Sequence, residues 1–391
     1  MPTLSRRRAL AAAGLLIGST ALGAVWRLTH SEKPMTDFRS RLVFTGSYGA
    51  ADQPGLRAFT FDPATGVLTP RGEQRGITAP SFLAVHPSGR WLYAVSETGV
   101  GSHGVAGSVH ALAVKQAGAQ VTFEPLNQQP SGGDWPCHLR LDPAGRWLMA
   151  ANYGTGSASL LPIQADGSLG AATALVQHAG RGARPDRQEG PHAHSSIFTP
   201  DGEFVIVADL GLDALMIYRL TAGRLEKAGE ARTAPGAGPR HLAFHPNGRV
   251  LYAANELNGT LTAYDYAGGG LHERETLSTL PANPPENLVA DLHVSAAGDR
   301  VYVSNRGHNS LAVFAAAPDG ALSRLALAPC GGNWPRNFAL APDGRWLLAA
   351  NQYSGDVVSL PIRPGAGELG APAARALVPD VACVLFAPEA A

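Results

Sequence analysis

The sequence predicts an all-β protein, a seven-bladed β-propeller with four antiparallel strands per blade, and three observations carry that expectation. A turn glycine in similar surrounding text recurs at Gly89, Gly145, Gly202, Gly248, Gly298 and Gly344, at spacings of 46 to 57 residues. Each copy reads as strand, tight turn, strand, small-residue turn, strand and a weaker fourth strand, which is one propeller blade. The chain also starts and stops in mid-hairpin. Arg41–Ser47 reads as a second strand lacking its first, and Val381–Phe386 as a first strand lacking its second. Pairing these two ends supplies the seventh blade and leaves the ring without an open edge.

The first 35 residues stand apart from that frame. Ser5-Arg6-Arg7-Arg8-Ala9-Leu10 precedes an Ala/Gly-rich apolar run over residues 11–25, with small residues around Ala21 and Ala24. A basic start, a short apolar stretch and small residues describe an export signal, here of the twin-arginine type that engages the machinery for folded cargo. An uncleaved anchor is the alternative, although the run is shorter than the roughly 20 apolar residues of a membrane span. Residues 1–35 are read as signal and linker, residues 36–391 as the propeller, and the location as periplasmic or otherwise exported.

The hairpin at residues 239–256 is the clearest copy. Leu242 and Phe244 alternate with His241, Ala243 and His245, as on a strand. Pro246-Asn247-Gly248 is turn chemistry, since Pro fixes φ and Asn and Gly tolerate positive φ. Val250–Asn255 returns as the second strand. A hairpin brings its outer ends together, so Arg240 and His241 are expected beside Glu256. Third strands follow at Gly259-Thr260-Leu261-Thr262-Ala263-Tyr264 and Ser310-Leu311-Ala312-Val313-Phe314.

Composition narrows function by exclusion. Lys plus Arg equals Asp plus Glu at 31 each, so no charge excess points to nucleic acid. Charged residues make up only 16% and glycines number 46, in keeping with many short strands and tight turns. The cysteines Cys137, Cys330 and Cys383 are odd in number and far apart, giving neither a disulfide framework nor a metal signature. They are expected as buried thiols.

Aligning the copies separates scaffold from site. Inner strands should line the channel, and their entry position reads Phe82, His138, Ser195, His241, Asp291 and Asn337. A strand buried on both faces would be apolar there. Two residues on, Arg140 and His293 stand out among small and apolar residues; one residue back are Cys137, His194, Arg240 and Arg336. The second strand ends on Asn152, Asp209, Asn255, Asn305 and Asn351, an Asx-turn pattern with one charged departure. The next position diverges into Glu97, Tyr153, Leu210, Glu256, Arg306 and Gln352. A structural repeat gives no reason for such charges, and a binding site does. The opposite rim, with Arg90, Arg146, Arg249 and Arg345 in uniform turns, is read as solvated scaffold.

Arginines in that cluster suit an anionic ligand. A His and a Glu supply a general base, and cationic donors can stabilise an oxyanion. No Gly-x-Ser-x-Gly elbow is present, so a covalent acyl route is not expected. His192-x-His194 lacks the companions of a metal motif, and neither metal nor cofactor is expected.

With those residues in view, the chain resembles the seven-bladed propeller lactonase family, which includes one type of 6-phosphogluconolactonase and the carboxymuconate-lactonizing enzymes. The resemblance spans Arg41 to Pro388. It is most specific at Arg187-Gln188-Glu189-Gly190-Pro191-His192-Ala193-His194-Ser195, Gly238-Pro239-Arg240-His241, Asn255-Glu256-Leu257 and Ser304-Asn305-Arg306-Gly307. It implies a metal-independent His, two Arg and a Glu, which fall on His192 or His194, Arg240, Arg306 and Glu256. His194, Arg240, Glu256 and Arg306 are the expected catalytic set. His138, Tyr153, His192, Asp209, His241, His293 and Arg336 are the expected substrate-binding residues. The implied activity is hydrolysis of a sugar-type lactone by a monomer, with a small anionic, sugar-like partner. Carboxymuconate-type cycloisomerisation and ligand binding without turnover are the alternatives.

Overall fold

The computed structural model describes residues 40–281 and 286–388. Within them, the strands form seven four-stranded antiparallel sheets. Blade 1 consists of Arg41–Ser47, Leu56–Phe61 and Leu68–Gln74, completed on its inner side by Val381–Phe386. That last strand pairs with the first from Val43↔Phe386 to Ser47↔Val381, as the mid-hairpin ends predict. The inner strands of blades 2 to 7 are Leu83–Val85, Pro136–Leu141, Ala193–Phe198, Pro239–Phe244, Leu288–Val294 and Pro335–Leu340. Each neighbours the next, and Val381–Phe386 lies between the last and the first, so the ring is closed.

The second strands are buried on both faces, which is why they read as apolar runs. In Val250–Asn255, Tyr252 and Ala254 pack with Val289, Leu292 and Phe314 of blade 6. Leu251 and Ala253 on the other face pack with Ile206, Ala208 and Leu215 of blade 4. Polar clasps add direction to this packing. The buried hydroxyls of Tyr93, Tyr252 and Tyr302 donate to the carbonyls of Gly167, Gly320 and Gly367 in the following blade, at 3.0, 2.7 and 2.9 Å. Trp346 Nε1 does the same across the closure, to Pro63 O at 2.9 Å.

The recurring glycine has a backbone cause. Gly248 has φ of 70° and donates its N–H to His245 O, and Gly89, Gly145, Gly202, Gly298 and Gly344 all lie between 67° and 78°. An L side chain at those angles is strained. The one helix among the described residues is the short Val100–His103 in blade 2. No helix of the described residues is long and apolar enough to cross a membrane. The expected export signal lies outside the described residues.

Candidate active site

Strict alternation along a strand would point Arg240 and His241 to opposite faces. The structure solves this with a bulge that recurs at the same place in the ring. Register shifts occur at Pro136/His138, Ala193/Ser195, Pro239/His241, Val289/Leu292 and Pro335/Asn337. A bulge inserts an extra residue and re-aims its side chain. The residues skipped by the register include Cys137, His194, Arg240 and Arg336. Chemistry-bearing side chains therefore reach the entry end of the channel without disturbing the apolar faces that hold the blades together.

Glu256 is the centre of that end. Arg187 Nη2 donates to its Oε1 at 2.7 Å, and Arg306 Nη2 reaches Oε2 at 2.6 Å. Arg240 Nε lies 2.9 Å from Oε2, close enough for an ion pair but off the line of a hydrogen bond. Arg240, Glu256 and Arg306 are buried. Burial alone would raise the Glu256 pKa, but the three guanidiniums outweigh it and hold the carboxyl at about 2. Desolvation and the neighbouring guanidiniums of Arg306 and Arg336 push Arg240 down to about 10, still charged at neutral pH. Arg240 Nη1 also donates to Ala290 O at 2.6 Å, and Arg306 lies 5.5 Å from the centre of the Trp334 ring.

A second carboxylate faces this cluster. Glu97 accepts from Tyr48 Oη at 2.9 and 3.0 Å and from Ser81 Oγ. Arg336 Nη2 donates to Tyr48 Oη at 2.6 Å. Desolvation raises the Glu97 pKa, opposed by Arg336 and the hydroxyl donors. Beside Glu97 is a cavity of about 10 Å³, the volume of one water, with Ser81, Glu97, Cys137, Arg240, His241 and Arg336 among its lining residues. Four guanidiniums against two carboxylates leave an excess of at least two positive charges here.

His194 stands among those charges with no hydrogen bond from its ring except a weak contact of Nδ1 with Cys137 Sγ at 3.7 Å. Burial, then Arg240, His241 and the other arginines, drive its pKa well below 6.5, so the imidazole is neutral at pH 7. Burial also pushes the Cys137 thiol up, leaving it protonated. Tyr153 meets the His194 ring edge-on and stacks on His192 at 4.5 Å. His192 is held by Tyr153 O at 2.9 Å and Glu189 Oε1 at 3.2 Å, out toward the rim. Of the two histidines in the segment, His194 is the one beside the arginines.

Asp209 is placed differently from the expectation that it binds substrate. It is fully buried, its Oδ1 accepts from the N–H groups of His192 and Leu212, and its Oδ2 is 2.5 Å from His178 Nδ1. Its oxygens are spent on the turn and on anchoring the His192 segment. His138 and His293 also leave the arginine cluster. Phe82, His138, His241, Asp291 and Asn337 form a wall across the channel, with the His138 and His241 rings 5.3 Å apart. His241 Nδ1 donates to Asp291 Oδ1 at 2.6 Å, and its Nε2, 3.2 Å from Arg240 Nη1, is the acceptor. His138 and His293 line a cavity of about 900 Å³ beyond this wall, opening among the turns at Pro87, Pro143, Pro200 and Pro342. Chemistry was expected at the entry end alone, yet the larger space lies at the other.

Comparison with known proteins decides the family. Residues 42–386 match the family model described as lactonase, 7-bladed beta-propeller. The chain belongs to this family. This lactonase is 33% identical to a 6-phosphogluconolactonase of Bacillus subtilis over 347 residues, 88% of this chain and 97% of that protein. It is 31% identical to a 6-phosphogluconolactonase of Formosa agariphila, covering 81% and 91% of the two chains. Among solved structures it is similar to a periplasmic gluconolactonase of Pseudomonas aeruginosa, with a TM-score of 0.82, 30% identity, and 89% and 99% of the chains covered. It is thus a 6-phosphogluconolactonase-like lactonase, a carboxylic ester hydrolase.

In this lactonase two members of the entry-end cluster escape a reading of the repeats. Glu97 occupies the divergent exit position, where its charge was the available signal, but only the fold shows that it acts on the same arginines as Glu256. Arg187 comes from the connection between blades 3 and 4, outside every repeat, and no register could have placed it. Among the described residues no group of three or more His, Cys, Asp or Glu side chains is arranged to hold a metal ion.

Proposed function

We propose that this lactonase hydrolyses a sugar-type lactone carrying negative charge, using side chains alone. The observation that carries the reading is the excess of guanidinium charge around a neutral His194 whose ring has only the weak Cys137 contact. His194 takes a proton from water, and the water oxygen attacks the lactone carbonyl. Arg240 and Arg306 stabilise the oxyanion as the ring C–O bond breaks, and the proton on His194 passes to the departing ring oxygen. Glu256 serves as the clamp that orients three arginines, because a carboxylate held at about 2 is a poor proton acceptor at neutral pH. An anion entering the cluster offsets the positive charge that depresses His194, making it a better base when substrate is present.

The test is turnover of glucono-δ-lactone, 6-phosphogluconolactone and carboxymuconate by the purified protein, beside Arg240→Ala and after dialysis against EDTA. Lactone hydrolysis that survives EDTA and fails in Arg240→Ala is the expected result. Hydrolysis no faster than the spontaneous reaction overturns the reading, and turnover of carboxymuconate alone replaces it with cycloisomerisation.

We also propose export by the twin-arginine route. Arg6-Arg7-Arg8 ahead of a short apolar run motivates it, and the similarity to a periplasmic gluconolactonase supports it. Replacing Arg6 and Arg7 by Lys should retain the protein in the cytoplasm; unchanged export would remove this reading.

A further inference from the structure

We propose that the turn-side cavity is a second small-molecule site, taking a monocarboxylate with an apolar body anchored by Arg140. The cavity of about 900 Å³ is separated from the arginine cluster by the wall of Phe82, His138, His241, Asp291 and Asn337. Its size is that of a site for a ligand of substantial bulk.

Arg140 lines it from the inner strand of blade 3, two residues after His138. Its Nε is buried without a partner, and the guanidinium makes no hydrogen bond or ion pair with any described residue. The side chain is half-buried, with Nε shut off from water and no carboxylate within ion-pair distance, so that only the more distant charge of Asp291 acts on it and an entering anion finds open donors. The one carboxylate on the wall cannot serve. Asp291 Oδ1 accepts from His241 Nδ1 and Leu292 N, and Oδ2 from His293 Nε2, Asn337 Nδ2 and Phe338 N. Five donors fill the acceptor capacity of that carboxylate.

The rest of the lining specifies the ligand's body. Phe82, Phe244, Val294, Leu340 and Phe386 are only half-buried and face the cavity. One unpaired guanidinium above such walls fits a single planar carboxylate held by its fork, with aliphatic or aromatic carbon beyond. A dianion would find no second Arg or Lys among the described lining residues, in contrast to the entry end with its excess of two.

The experiment titrates purified protein with benzoate and octanoate, using benzamide and octanamide as neutral controls, and follows heat and backbone NMR shifts. Saturable 1:1 binding of a carboxylate is expected, at least tenfold weaker for its amide and for Arg140→Gln. Shifts should centre on blades 3, 5 and 6 and persist in Arg187→Ala. Arg140→Gln should melt within a few degrees of wild type, because it breaks no hydrogen bond or close ion pair, and the melting curve separates lost binding from lost folding. A second variant, Ala243→Phe, blocks the space without touching charge and should also abolish binding. Equal binding to Arg140→Gln, loss in Arg187→Ala instead, or no saturation by either carboxylate up to about 10 mM overturns the proposal. None of these readouts depends on lactone turnover.

Discussion

Arg187 Nη2 meets Glu256 Oε1 at 2.7 Å across 69 residues of sequence, the one arm of the Glu256 clamp that comes from a loop. The loop is pinned next door. Buried Gln188 donates to Leu210 O at 2.8 Å and to Asp213 Oδ1 at 2.6 Å. Arg187 itself remains 31% exposed above the cluster. Its charge is therefore within reach of an incoming anion while the loop base is anchored. Arg187→Ala should raise KM by about 10- to 100-fold, the worth of one charge-assisted hydrogen bond. The melting temperature should stay within a few degrees of wild type. A normal KM for every charged lactone would show that Arg187 only covers the site.

Glu256→Gln tests the clamp by the opposite sign. Arg240 and Arg306 are buried, and taking away their carboxylate leaves guanidiniums facing one another. Breaking a buried pair in this way costs about 3–5 kcal/mol. Linkage gives a signature in pH. The folded-state pKa of about 2 lies below the ordinary 4.5, so the carboxyl contributes stability that is present above about pH 4.5 and fades as pH falls toward 2. The shift corresponds to about 3 kcal/mol. Urea unfolding of wild type and Glu256→Gln should differ most near neutrality and converge on acidification. A gap that stays constant from pH 7 to 3 would mean that Glu256 does not titrate as the arginines require.

His194 makes a kinetic prediction. Burial and the arginines hold it neutral well below pH 6.5, so the acid limb of kcat/KM, which reports the free enzyme, should lie below that value. His194→Asn should lower kcat by about 10² to 10⁴. Arg306→Ala removes one of the charges that depress the imidazole and should move the limb toward higher pH. A limb that ignores Arg306, or a His194→Asn enzyme of normal kcat, assigns the base elsewhere.

The sequence made the scaffold legible because a repeat is redundant. Six glycines at positive φ and two unmatched half-hairpins are enough to define a closed ring. Arg240, Glu256, Arg306 and Arg336 were visible as charged departures from that repeat. What escaped came from geometry that no alignment of repeats encodes. The bulge beside His241 sends Arg240 one way and leaves His241 on the wall between two compartments. Asp209 shares a register position with turn asparagines, and its charge suggested a ligand; the His178 ring opposite it, from another strand's end, is what the charge answers. The cavity beyond the wall was hidden by uniform turn text, since a ring of similar turns encloses space whether or not each turn is distinctive.

Closure of the ring can be tested directly. Removing residues 380–391 deletes the inner strand of blade 1 and exposes the Arg41–Ser47 edge, a template for pairing with other chains. Val381, Cys383 and Val384 are buried, and they pack with Val43, Phe44, Leu83 and Leu348. Full burial is worth about 1.5–3 kcal/mol for each large apolar side chain, so the strand's share approaches the 5–15 kcal/mol that holds a whole domain. Asn337 also loses the Val384 N–H bonded to its Oδ1 at 2.8 Å, beside the Asp291 wall. The truncated chain should aggregate or form oligomers on size exclusion, and a synthetic peptide of residues 380–391 should rescue part of the soluble monomer. A truncated monomer that unfolds cooperatively at the wild-type midpoint would mean that six and three-quarter blades close without their latch, because packing between blades would then outweigh the pairing of the two chain ends.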